Sequence, residues 1–137
     1  MKKVAILVSR GSYNNLVQVF TFVMACVVSE IAVRLFFRDE SIFKLTLEGS
    51  KILNLSEPYQ ARKENVMLIL KANRLDNLQE LIQEVKGKGD VRLSVCSSSL
   101  AICGLKPEEL IPEVDEVQGL TSFLLEEMIP ADSILTF

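Results

Sequence analysis

Two short apolar runs constrain this chain most. They are Val4 to Ser9, "VAILVS", and Ile31 to Phe37, "IAVRLFF", on either side of a stretch long enough for one helix. An apolar run without alternation reads as a strand buried on both faces, the pattern of a parallel sheet covered by helices. Parallel neighbours need a crossover, and strand, helix and strand within about 35 residues make a βαβ unit.

The crossover contains Leu16 to Val28, "LVQVFTFVMACVV", apolar on nearly all sides. It is shorter than the roughly 20 residues needed to span a bilayer. Ser29 and Glu30 interrupt it, and Arg34 interrupts the next apolar run. The expectation is a helix buried on most of its surface, one face on the sheet and the other available to a neighbouring subunit. "RGSYNN" ahead of it is loop chemistry, with Asn14 or Asn15 as the expected cap. The opening "MKKVAILVSR" has a basic start, but its apolar run, Val4 to Val8, is too short for a secretory signal.

The alternation continues downstream. In Arg38 to Ser56, Phe43, Leu45 and Leu47 alternate like a strand, while Ile42 and Leu45 share a helix face, so a short helix or an irregular segment is expected. Pro58 suits a helical first turn, and Gln60 to Glu64 favour helix for Val66 to Leu70. Leu75, Leu78, Leu81, Ile82 and Val85 follow the helical repeat, with Asn73 as expected cap and Gly87 or Gly89 as the stop. Val91 to Val95 is the next strand. Leu100 to Leu105 is a short helix ended at Gly104, and Pro107 to Pro112 a turn. Val114 to Val117 is a short strand, Gly119 to Met128 a helix, and Ser133 to Phe137 the closing strand. The order predicts one α/β domain over residues 1–137, a three-layer α/β/α sandwich on a mostly parallel sheet of about five strands.

Composition narrows the chemistry. There is no His, which excludes His-based general acid–base catalysis, Ser–His and Cys–His triads and His-ligated metals. A net charge of −3 gives no basic stripe for direct nucleic-acid binding. Three cysteines, Cys26, Cys96 and Cys103, form no CxxC pair and no even framework, which fits a reducing cytoplasm.

Cys96 is the most informative residue. It directly follows the third strand, and ligands of open α/β sheets bind at the carboxyl ends of strands. The expectation is a sulfur that reaches solvent at that edge. Ser97, Ser98 or Ser99 is placed to cap the next helix, leaving backbone N–H groups to point back at the sulfur and favour thiolate over thiol. The alternative is a small buried hydrophobe, as free cysteines often are. Cys103 lies about 10 Å further along a helix, too far for a disulfide, and is read as structural; Cys26, inside the buried helix, is read as core. Gly11 and Ser12, in the loop after the first strand, sit where a phosphate-binding loop would, although the loop has one glycine and matches no nucleotide motif. Arg10, Arg38 and Asp39 also follow strands, at the border of the same edge.

The segments "VAILVSRGSYNNLVQVFTFVMACVVSEIAVRLFF" and "VRLSVCSSSLAICGLKPEELIPEVDEVQGLTSFLLEEMIPADSILTF" resemble the DsrE/DsrF/TusD-like family, nearest its peroxiredoxin-like DsrE branch. The matching positions are Cys96 at the strand end, Gly104 after the small-residue helix, and Gly119 in the loop before the last helix. The resemblance implies a flavodoxin-like fold and homo- or hetero-oligomers that are commonly trimers or hexamers; no cofactor is expected. It also implies a persulfide on Cys96, taken from a donor protein and passed to an acceptor. Two other readings stand beside this sulfurtransferase one. The first is a phosphate- or flavin-binding module using Gly11, Ser12, Arg38, Ser97, Ser98, Ser99 and the loop at Gly119. The second is an interaction subunit without chemistry.

Overall fold

The structure, a computed structural model, describes residues 2–137. Five strands form one sheet in the order β4-β3-β2-β1-β5. They are β1 (Lys3–Val8), β2 (Ala32–Phe37), β3 (Val91–Cys96), β4 (Glu116–Gln118) and β5 (Ser133–Thr136). Every pairing is parallel, with Val8 opposite Phe37, Phe37 opposite Val95 and Cys96 opposite Gln118. Helices on both faces complete the flavodoxin-like α/β/α sandwich.

Connectivity decides which face each helix covers. Steps from β1 to β4 run one way across the sheet, so right-handed crossovers put their connections on the first face. The step from β4 back past β1 to β5 runs the other way and lays its helix on the second. Side-chain alternation matches this division. Val4, Ile6, Val8, Val33, Leu35, Phe37, Val91, Leu93 and Val95 point into the large core under α1 (Tyr13–Val28) and α3 (Leu78–Lys88). Ala5, Phe36 and Cys96 point the other way, into a small cluster closed by Phe123 of α5 (Leu120–Phe123). The second layer is therefore thin.

α1 is largely buried, as its composition requires, exposing mainly Gln18, Thr21, Ala25 and Val28. Its cap is Ser12 and not Asn14 or Asn15: Ser12 is extended and its Oγ accepts the Asn15 N–H at 3.3 Å. The two asparagines tie down neighbouring loops instead, Asn14 to Ser56 and Asn15 to the Arg10 carbonyl. Likewise Asn73 ends α2 (Lys63–Ala72), donating to the Ile69 carbonyl, while Asn77 caps α3 through the Glu80 N–H. Arg74, at φ 57°, turns the chain between them, so Leu75 reaches the core from a loop.

Asp39–Leu45 and Gly49–Lys51 are 3-10 turns, as is Glu57–Arg62 with Pro58 in its first turn. Gly49 is required sterically, because a Cβ there would collide with the Phe43 carbonyl oxygen. α4 (Ser97–Ile102) is short and turns out at Gly104, whose φ of 69° suits glycine. α5 continues as a π-helical turn, Leu124–Met128.

Candidate functional site

Strand β3 carries Cys96 to the carboxyl edge and α4 starts on the next residue, so Cys96 itself occupies the cap position. None of Ser97, Ser98 and Ser99 is the cap. A thiol is a poor capping group, and Cys96 makes no side-chain cap bond. The serines serve the sulfur instead. Cys96 Sγ lies 3.2 Å from Ser98 Oγ. Burial pushes the Cys96 thiol up, yet hydrogen bonds from the Ser98 hydroxyl, the Ser99 amide and hydroxyl, and the Ser98 amide outweigh it and hold the thiol below its ordinary value. The other two thiols go the opposite way. Burial raises Cys26, and burial with the Asp39 charge raises Cys103, whose Sγ sits 3.7 Å from the Asp39 carbonyl.

Exposure departs from the sequence expectation. Cys96 is only 2 % exposed, covered by Phe36, Phe123 and Ala5. Ser97 and Ser98 are exposed, so the sulfur lies one residue beneath the surface. Phe36 and Phe123 stack with ring centroids 4.6 Å apart. Beside them Gln118 donates to Ser94 Oγ at 2.9 Å on the same sheet face.

The structure brings Cys96, Ser98 and Ser99 together, with the exposed Ser97 at the rim. Gly119 precedes the helix that covers the sulfur; its φ is −76° and a Cβ there would meet nothing within 4 Å, so neither strain nor crowding demands glycine. Arg38 is half-buried and extended at the end of β2, the strand between β1 and β3. Gly11 and Ser12 lie in the loop between β1 and α1, and β1 is two strand spacings, about 10 Å, from β3. The Gly11 N–H donates to Glu40 Oε2 at 2.9 Å, so a carboxylate already holds the amide a phosphate would need. A groove of about 600 Å³ lined by Phe43, Leu47, Ile52 and Leu105 does not include Cys96. Among the described residues no cluster of three or more Cys, Asp or Glu could hold a metal, and no helix is long and apolar enough to cross a membrane.

Phe123 was not legible as a site residue, although it is the only aromatic between Gly104 and Thr136. A lone aromatic in the short helix of the last crossover is the signal that could have found it.

The sulfur's hydrogen bonds set a pH expectation. An acid with a depressed pKa stabilises the fold fully above its unfolded value, about 8.5 for a thiol, and loses that stabilisation as pH falls through the folded value. In Ser98→Ala the Cys96 pKa should rise, because burial is then less opposed. Ultraviolet thiolate absorbance of Cys96 should titrate at higher pH in the variant, and the stability gap between the proteins should widen as pH rises through the thiol range. An unchanged titration would remove the Ser98 contribution.

A family model described as the DsrE/DsrF-like family matches residues 2–137. Among solved structures the chain is similar to a protein of unknown function, MTH1491, from Methanobacterium thermoautotrophicum. The TM-score is 0.67 and the identity 14 %, covering 98 % of this chain and 99 % of that one, a likeness of fold. No curated protein matches the chain.

Proposed function

Because the chain belongs to the DsrE/DsrF-like family, which suggests a part in sulfur relay, we propose that it is a sulfur carrier that accepts sulfane sulfur on Cys96 and hands it to a partner protein. One observation carries this reading: of the three thiols, Cys96 is the one whose hydrogen-bond donors outweigh burial and shift it towards the ionised form, while Cys26 and Cys103 are shifted away from it. The thiolate is the sulfur nucleophile.

In the first step Cys96 Sγ attacks the outer sulfur of a donor persulfide. A new S–S bond forms to Cys96, the donor's S–S bond breaks, and the donor leaves as a thiolate. The proton stays on the terminal sulfur, and there is no net oxidation. In the second step an acceptor thiolate attacks that outer sulfur and Cys96 returns as thiolate. Ser98 and Ser99 stabilise the anion that starts the first step and leaves in the second. No His is needed, because neither step requires a base once the thiol is ionised.

The partners are a sulfur donor protein and an acceptor protein, and the chain assembles with itself as a trimer or hexamer. Exposed Leu68 and Ile69 on α2, and Phe43, Leu47 and Ile52 in the groove, support assembly. Light scattering of the purified protein tests it, and a monomer at all concentrations would reject it.

The test of the carrier reading is incubation of the intact protein with a sulfane-sulfur donor, followed by peptide mass analysis. The expected result is one added sulfur atom confined to the peptide carrying Cys96. Sulfur distributed equally over the Cys26, Cys96 and Cys103 peptides would sink it. The 2 % exposure of Cys96 favours a second reading, an interaction subunit without chemistry; absence of any loading would select that one.

A further inference from the structure

A nucleophile that is 2 % exposed needs a way out. We infer that the segment Leu120–Met128 is a movable cover over Cys96, hinged at Gly119 and latched to the sheet by Glu127. The inference deepens the carrier reading and rests on it for its purpose, while its test does not.

Three independent features support a cover that opens locally. First, the segment is weakly rooted: Phe123 is its one buried residue, and Leu120, Leu124 and Leu125 are exposed. Phe123 is the segment's one fully buried contribution to the Cys96 cluster, stacked on Phe36, with Met128 and Ala131 packed more loosely at its side. Second, the latch lies at the far end. Glu127 Oε2 meets Arg34 Nε at 3.2 Å and Lys3 Nζ at 3.3 Å, joining the cover to β2 and β1. Arg34 is itself oriented by a two-pronged bond to Asp90 at 2.9 and 3.1 Å. Third comes the hinge. The segment is entered through Gly119, the residue type with the most permissive backbone, and Glu127 itself lies in the π-helical turn that follows Phe123, a helix form found frequently at functional sites. Such elements open at a fraction of the global unfolding free energy.

The latch ion pairs are partly solvated, so each is individually weak and can be broken without unfolding the chain. The probe is iodoacetamide, with Cys96 labelling followed by peptide mass on the full-length protein. Glu127→Gln should label about five times faster than wild type at low salt, a factor equivalent to about 1 kcal/mol. Added salt should speed wild type towards the variant and leave the variant little changed. Phe123→Leu, which keeps an apolar plug, should label faster than wild type while remaining folded. Wild-type labelling should depend only weakly on urea, as local opening does.

Equal rates for wild type and Glu127→Gln would overturn the latch. A urea dependence as steep as that of global unfolding would overturn the cover. Labelling as fast as that of a free thiol would show the sulfur already open and overturn both. Iodoacetamide requires no sulfur transfer. A protein that opens but never loads would sink the carrier reading alone, and one that loads with a fixed cover would sink this inference alone.

Discussion

Cys96→Ser should lose sulfur loading completely and keep its fold. With the sulfane donor, no peptide of the variant should gain sulfur beyond the background of Cys26 and Cys103. A hydroxyl cannot form the S–S bond, and the donors around position 96 have no thiolate to activate. The stability cost should be small. The swap changes one atom, and Ser98 and Ser99 remain as hydrogen-bond partners for the new hydroxyl. A buried hydroxyl with partners costs about 1–2 kcal/mol or less relative to the thiol. Urea denaturation with an unchanged slope would establish that the loss is chemical. Loading of the variant at the wild-type level would transfer the role to another cysteine, and Cys103, half-exposed beyond α4, would be the one to test.

Phe36→Ala should be strongly destabilising. Phe36 is fully buried in β2, between β1 and β3, and stacks on Phe123 over the smaller core. Truncating a buried Phe to Ala typically costs about 3–5 kcal/mol, of which part is the cavity left behind. Little can fill that cavity, because the second layer has few other apolar residues: Ala5, Cys96, Phe123 and the flanking Met128 and Ala131. The denaturation midpoint should fall accordingly, and the residual fold should leave Cys96 open to thiol reagents. A change below about 1 kcal/mol would mean that the cover relaxes into the gap.

β1, β2 and β3 were legible because they are continuous apolar runs; the strand order was not, because the crossover rule fixes the handedness of a connection and not which strands pair. β1, β2 and β3 begin and end within a residue or two of their apolar limits. The caps were less legible. Asn73 and Asn77 are chemically alike, and only the left-handed Arg74 between them decides which one starts α3. Residues 39–51 resisted reading because their turns are held by tertiary contacts. Ser41 bonds the Val8 and Arg38 carbonyls, and Gly49 packs against the Phe43 carbonyl, and neither leaves a periodic trace.

At the site, the serine hydroxyls were expected as helix caps and instead bond the sulfur. The position of Cys96, with backbone amides behind it, followed from a strand running into a helix. Its burial did not. Whether a strand-end side chain is covered depends on which face the last crossover takes, and here that crossover returns past three strands to lay Phe123 on it. The Glu40 carboxylate on the Gly11 amide was equally invisible, since 29 residues separate them. It changes the reading of that loop from an open anion cradle to a filled one.

β1 pairs on one side with β2, the next strand made, and on the other with β5, the last of the five. During synthesis β1 therefore keeps a bare edge until β5 emerges, and Cys96 emerges well before the helix that shelters it. The nascent chain carries an uncovered thiol and an unpaired strand at the same time. Oxidants and neighbouring chains have their opportunity in that interval, and it closes only when β5 docks.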